Sequence, residues 1–443
     1  MSHKDRNLDD LLNFDYGRPV PDERSDEAKA YAELRKQAQK EAYEKYRSTY
    51  RKSKPGSRKR KAGKFHKGLS VLYLVCLVAF AAIMTIMDVL PFLTLILLYV
   101  ILILLSLIVV VQLRKNNISP VVRNIASVAS VLLMGMYLLG SAYAIGTLNF
   151  LSATSVDNES RVAKITRDPF NVTITGMDVH GTIDKEGLSD VNMVVTVNPK
   201  TEQILMTSIP RDYQIYMPDK GEAMDKLTHT GFYDVQTTIG AEENLFGIEI
   251  NYYVKVNFTT IMRFVNAVGG IDVYSEYEFV PVKRKKMTVK KGWNHFNGAE
   301  ALAFARERKA FEYGDRQRIK NQQAVLEAVI NKAMSSRTMA LSYNKILSDL
   351  KNYFEMSFSS RELRSLVKLQ LAKNPKWNIT KNSITGGDGS LGTYTTGGTA
   401  IYVMTQDPQS IETARSLISA VMNGNTLKTE EDGTITIIEN TGN

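Results

Sequence analysis

One cysteine, Cys76, stands alone in the 443 residues, so no disulfide can form within the chain and a disulfide-stapled fold is excluded. Histidines number only five, and none shows the His/Cys spacing of a zinc site. No internal repeat of solenoid period occurs. The glycine-rich stretch 386–398 matches neither the P-loop nor the dinucleotide fingerprint and reads as a flexible surface loop. Acid is missing too: after Glu44 none occurs before the first long hydrophobic run.

What is present is base. The formal net charge is +10, with a pI near 9.3. From Lys45 to Lys67 every charged residue is Lys or Arg. Beside a hydrophobic run, such a segment marks the cytoplasmic side of a membrane and contacts anionic lipid. It carries no recognisable nucleic-acid-reading fold, and no nucleic-acid partner is expected. Three apolar runs follow, at 68–89, 91–113 and 124–148. Each is long enough to cross a hydrocarbon core of roughly 30 Å. The first hairpin, near Asp88, carries no Lys or Arg, whereas the second loop carries Arg114, Lys115 and Arg123. Both agree with an inside N-terminus, and three spans then place the rest of the chain outside the cell. The expected organisation is a cytoplasmic basic arm at 1–68, three transmembrane helices at 69–148, a linker at 149–165, a folded domain at 166–424 and a flexible tail at 425–443.

The folded domain is organised around three short β-branched stretches, 171–176, 191–197 and 204–209. The turn Asn198-Pro199-Lys200-Thr201 joins the last two. An antiparallel meander would bring Asp178, Asp190 and Arg211 to one edge of the sheet. Two carboxylates suit Mg²⁺, and a guanidinium suits phosphate. Helices are expected at 237–246, 259–268, 298–306, 360–371 and 409–422, with strands at 252–257, 271–274 and 400–404. The longest soluble helix begins at Asp315, and its apolar stripe of Ile319, Leu326, Val329 and Ile330 continues backward through Gln322 to Arg318. An inward face that changes from apolar to Arg and Gln points into an anionic pocket. Arg306 and Arg308 would face one side if the chain is extended there. With Arg211 and Arg318 they form a set of cations larger than one phosphate monoester requires, and a pyrophosphate fits better.

These segments carry a resemblance. Thr175-Gly176-Met177-Asp178, Ser189-Asp190-Val191-Asn192, Ser208-Ile209-Pro210-Arg211-Asp212 and Asp225-Lys226-Leu227-Thr228-His229 come first. Val268-Gly269-Gly270-Ile271, Gly298-Ala299-Glu300-Ala301-Leu302, Arg306-Glu307-Arg308, then Asp315, Arg318 and Gln322, complete the series. In this order they resemble the LytR-CpsA-Psr family. The resemblance implies a three-layer α/β/α sandwich with a mixed central sheet, outside a Gram-positive membrane. It implies transfer of a glycopolymer (teichoic acid, capsule or rhamnose polysaccharide) from an undecaprenyl-pyrophosphate carrier to peptidoglycan through a phosphodiester bond.

By the same resemblance, Asp178 and Asp190 would hold Mg²⁺. Arg211, Arg306, Arg308, Arg318 and Gln322 would grip the pyrophosphate, and Asp212 and Asp315 would orient the arginines. Arg211, Arg306 and Asp178 are the expected catalytic residues, with Asp178 a candidate general base. The expected partners are the polyprenyl-pyrophosphate-linked glycan, peptidoglycan and membrane lipid. Family members usually have Arg two residues before the second Asp, where Leu188 stands here. Lys185 and Lys226 are candidate replacements. Alternative readings are a polyprenyl-pyrophosphate hydrolase, a membrane-bound transcriptional attenuator and a non-catalytic wall scaffold.

Overall fold

The computed structural model describes residues 26–53, 63–116, 118–154, 164–312, 314–334, 350 and 352–440. Helix α1 spans Asp26–Ser53, and most of the basic run that follows it lies outside the described residues. Among the described residues, three helices are long and apolar enough to cross a membrane: α2 (Lys64–Met87), α3 (Phe92–Arg114) and α4 (Pro120–Thr154). The last, at 35 residues, is longer than the expected span and takes in the start of the expected linker. At 1.5 Å per residue even the 23 residues of α3 give about 35 Å of helix, enough for the bilayer core.

The chain divides into two compact units, one comprising residues 1–71 and 107–130, the other 72–106 and 131–443. Arg123 in the first donates to the carbonyl of Lys115 at 2.9 Å, which ties the turn between α3 and α4. The second unit holds the mixed α/β domain. Its strands open with β1 (Phe170–Met177), β2 (Ser189–Asn198) and β3 (Gln203–Ile209), the expected meander. The hairpin β4 (Gln214–Met217) and β5 (Ala223–Lys226) leads to helix α5 (Val235–Phe246). Strand β6 (Tyr252–Asn257) runs directly into α6 (Phe258–Ala267). A second hairpin, β7 (Ile271–Ser275) with β8 (Gly292–Phe296), precedes α7 (Gly298–Arg306) and α8 (Gly314–Met334). The remainder is β9 (Phe354–Met356), α9 (Ser360–Lys373), β10 (Asn378–Ser383), β11 (Gly386–Gly392), β12 (Ala400–Gln406) and α10 (Pro408–Met422). The chain ends in β13 (Thr426–Thr429) and β14 (Ile435–Ile438).

The central sheet has the order β10-β3-β2-β1-β6-β9. Strands β1, β2 and β3 are antiparallel, while β6 pairs parallel to β1 and β10 parallel to β3. Alternation along the strands sends Val194 and Leu205 to one face and Met193, Val195, Ile204 and Met206 to the other. The first face packs against α5 and α10 through Ile239, Leu245, Leu417 and Ile418. The second meets Leu326 of α8 and Leu363 and Leu366 of α9. Both faces are covered, which makes three layers. A third core, built from α6, β7, β8, α7 and α8, gathers Val265, Ile271, Phe296, Phe304 and Val325.

Two expectations need correction. The supposed flexible tail contains the β13–β14 hairpin, because Leu427 is buried in the first core and its N–H bonds Gln203 Oε1 at 3.1 Å. The glycine-rich stretch is half strand: β11 pairs with β12 along its whole length. Residues 225–232 form the end of β5 and a 3₁₀ turn, Leu227–Phe232.

Within the second unit, the turn after α2 is tied to α9. Lys368 Nζ lies 2.7 Å from Asp88 Oδ1, and Arg364 donates to the carbonyls of Ile86 and Met87 at 3.0 and 3.3 Å.

Candidate active site

The meander delivers its charges as expected. Strand β1 ends one residue before Asp178, β2 begins one residue before Asp190, and Arg211 follows the end of β3. Register demands a small residue here. Gly176 faces Val191, where an added Cβ would come within 2.9 Å of the valine Cβ. The ladder then shifts between Gly176 and Met177, and this bulge swings Asp178 beside Asp190.

Two helices bring in the opposing cations. Asn297 caps α7, accepting from the N–H groups of Ala299 and Glu300, while Glu300 returns a bond to the Asn297 N–H. That fixes a short helix whose last residue is Arg306. Arg306 is therefore helical, not extended, and it does not share a strand face with Arg308. It donates to Asp178 Oδ1 and Oδ2 at 3.0 and 3.2 Å. Its guanidinium also lies over the Phe258 ring at 3.9 Å, at the start of α6. Arg211 Nη1 reaches Asp190 Oδ1 at 2.9 Å, and its Nε lies 3.3 Å from Asp212 Oδ2. Lys226 Nζ bonds the other Asp212 oxygen at 3.0 Å. The result is a chain of alternating charge, Lys226–Asp212–Arg211–Asp190, that sets the arginine's direction.

Asp178, Asp190, Arg211, Arg306, Arg308, Arg318 and Gln322 all line one cavity of about 560 Å³. Arg318 is 4% exposed, so the first turns of α8 do bury their guanidinium. Asp212 stands behind the wall, not in it. The Asp315 side chain lies outside the described residues. Lys185 bonds the carbonyl of His180, and Lys226 is taken by Asp212, so neither lines the cavity in place of the family's usual arginine. Lys283, Arg284 and Lys309 do line it. The sequence around 283–291 is basic, but nothing local says where such a loop folds back.

Set back a turn or a few residues along the strands and helices from those charges, the lining is apolar. Ile174 and Met193 of the sheet, Ile261 and Met262 of α6, Leu302 of α7 and Leu326 of α8 line it. One end therefore suits an anion and the other a hydrocarbon, within a single space.

Burial raises the Asp178 pKa, and the neighbouring Asp190 charge raises it further, against the lowering fields of Arg306 and Lys283. Behind the wall, burial raises Asp225, but hydrogen bonds from His229, Thr395 and the Lys226 N–H outweigh it and hold the carboxylate below its usual range. His229 Nδ1 lies 2.6 Å from Asp225 Oδ1, and Thr395 bonds the other oxygen, tying the 3₁₀ turn to the β11–β12 hairpin loop. Among the described residues no cluster of three or more His, Cys, Asp or Glu side chains could hold a metal alone. The pair Asp178 and Asp190 fits a Mg²⁺ that takes its remaining ligands from phosphate and water, since the two carboxylates stand close enough for the Asp190 charge to raise the Asp178 pKa.

The LytR_cpsA_psr family model matches residues 146–415, more than half of the chain and the whole of this cavity. The chain belongs to the LytR-CpsA-Psr family. Its relatives include a polyisoprenyl-teichoic acid–peptidoglycan teichoic acid transferase TagU of Bacillus mycoides. That protein is 33% identical over 213 residues, which are 48% of this chain and 68% of the relative. A TagU of Bacillus cereus is 30% identical over 257 residues, 55% of this chain and 81% of the relative. A solved Streptococcus agalactiae structure is 25% identical, with a TM-score of 0.51 over 64% of this chain and 97% of that one.

Proposed function

We propose that this membrane protein transfers a teichoic acid-type polymer from a polyprenyl-pyrophosphate carrier to peptidoglycan. The observation that carries this reading is the two-ended cavity: guanidinium groups at one end, an aliphatic groove at the other. A lipid-linked diphosphate matches both ends at once. The TagU relatives are named for this transfer, and the match to the family model covers the cavity residues.

Arg211, Arg306, Arg308 and Arg318 bind the diphosphate oxygens, with Gln322 donating a neutral hydrogen bond. Arginine suits this task because its planar fork meets two oxygens at once. An acceptor sugar hydroxyl attacks the phosphorus nearest the polymer. A new P–O bond forms, the anhydride P–O bond breaks, and polyprenyl phosphate departs carrying the negative charge. The arginines stabilise that charge as it grows, which is where such sites act most strongly. Asp178 is the candidate carboxylate to take the hydroxyl proton; its pKa is raised in the metal-free site, and a bound Mg²⁺ would lower it again. Asp178 and Asp190 would hold Mg²⁺, which when bound supplies further charge neutralisation at the diphosphate.

The turn at Asp88 has no basic residue, and the domain is tied to it through Lys368 and Arg364. Both support a domain on the outer face, with the N-terminus inside. Transfer of labelled lipid-linked polymer to peptidoglycan oligomers by wild type, Arg306→Ala and Asp190→Ala tests the reading. Loss of transfer in both variants is expected. Undiminished transfer by both would remove this cavity from the chemistry.

A further inference from the structure

A diphosphate occupies only the arginines already described, yet the cationic surface does not stop at the cavity. Between Glu278 and Glu300 the chain has no acid. It has instead Lys283, Arg284, Lys285, Lys286, Lys290 and Lys291, all exposed. Apart from the field of Lys283 on Asp178, none of the six has an ionic partner among the described residues. Leaving that many like charges together without acid is unfavourable unless something anionic visits.

The segment is also built to hold its shape. Met287 and Val289 are buried in the third core. Phe279 and Val289 exchange backbone bonds of 3.0 and 2.8 Å, closing the loop at its base. The buried carboxylate of Glu307 then joins loop to cavity. One oxygen accepts the Val282 N–H at 2.6 Å, and the other accepts the N–H groups of Arg308, Lys309 and Ala310. Glu307 thus spends its charge on backbone donors and leaves the neighbouring cations unneutralised. Lys283, Arg284, Arg308 and Lys309 all line the cavity, so the tract runs without interruption from the diphosphate end out along 285–291.

We infer that the Lys283–Lys291 tract binds the phosphodiester backbone of the donor's own polymer. The inference rests on the proposed function and extends it to substrate class. The polymer is bonded to the diphosphate, so it leaves the cavity at the cation-rich end and not at the apolar one. A chain of repeating phosphodiesters emerging there meets Lys283 and Arg284 first and then the outer lysines. A neutral glycan has nothing for these lysines to hold. The segment is therefore a selectivity device for anionic polymers, acting on capture of the donor and not on the bond-making step.

The test uses full-length protein in neutral detergent and two donors with the same polyprenyl diphosphate and the same first sugars. One bears a polyol-phosphate chain, the other an uncharged glycan of similar length. The variant combines Lys285→Ser, Lys286→Ser, Lys290→Ser and Lys291→Ser, leaving the cavity lining intact. The KM for the anionic donor should rise on the order of tenfold with kcat unchanged, and the wild-type preference should shrink as salt is added. The neutral donor should be used equally by both proteins, which also reports that the variant is folded. Replacing the same four lysines by Arg should restore the wild-type KM. An equal KM change for both donors, or a fall in kcat, would overturn the inference. So would a defect that appears only in vesicles containing anionic lipid, since the tract would then be docking on the membrane. Wild-type turnover of neither donor would instead count against the transferase reading itself.

Discussion

The two ends of the cavity are held in different ways. At the polar end the central charges have fixed partners: Arg306 on Asp178, Arg211 between Asp190 and Asp212, and Asp212 on Lys226. At the apolar end, side chains from three helices and a sheet meet with nothing directional between them. Polar chemistry needs atoms placed within tenths of an ångström, because a hydrogen bond weakens steeply with distance and angle. A hydrocarbon needs only volume and surface. A rigid end joined to an adaptable one suits a substrate with one reacting centre and a long featureless tail.

Breaking the polar end should have the largest effect. Arg306→Ala removes a transition-state cation and also leaves Asp178 half-buried without its partner. Transfer should fall about 10²–10³-fold, with kcat reduced, as read in a single-turnover assay. A change confined to KM would mean that Arg306 binds ground state and transition state alike.

The apolar end should fail more gently. Leu302→Asn places an amide in the groove and should cost about 1–2 kcal/mol of lipid binding, roughly tenfold in KM. The loss should vanish for donors with a short prenyl chain that does not reach the groove. An equal loss for short and long prenyl donors would place the lipid elsewhere.

Smaller still is the effect of the charge chain behind the wall. Asp212→Asn weakens the hold on Arg211 without touching substrate, so a several-fold loss of kcat/KM is expected, on the scale of a single hydrogen bond to a charged group. Rescue by Asp212→Glu would argue for positioning.

The slightest change is a shift in pH profile. A base must be deprotonated to act, and the Asp178 pKa is raised. With no metal bound, the acid limb of kcat should therefore lie above that of an unperturbed Asp, with the rate rising as pH climbs through it. In Lys283→Ala, which removes a field that lowers this pKa, the limb should move to still higher pH. A limb unmoved by that substitution would assign the titration to another group.

The same contrast governs how much the sequence could disclose. The polar end was legible because strand ends have few places to go. Three β-branched stretches, joined by one loop and one short turn, put Asp178, Asp190 and Arg211 at one edge before any side-chain contact is considered. Arg318 and Gln322 were legible because they interrupt an apolar stripe. The apolar end was not, since Ile261, Leu302 and Leu326 carry the same helical spacing as the core residues Val265, Ala301 and Val325 beside them. Strand β10, with the polar sequence Asn-Ile-Thr-Lys-Asn-Ser, gave no alternation, and it is a strand because β3 offers it a parallel edge. Lys283 entered the cavity through loop 276–291, whose path is set by Glu307, a contact 25 residues distant.

One measurement bears on the central claim more directly than any variant. A donor is prepared with radiolabelled phosphorus at the atom nearest the polymer, and the full-length protein is given peptidoglycan oligomers. If the diphosphate is clamped at the guanidinium end and attacked by a sugar hydroxyl, the label moves into peptidoglycan as a phosphodiester and unlabelled polyprenyl phosphate is released. Recovery of the label on free polymer phosphate or inorganic phosphate, with none on the acceptor, would make the protein a hydrolase and contradict the account.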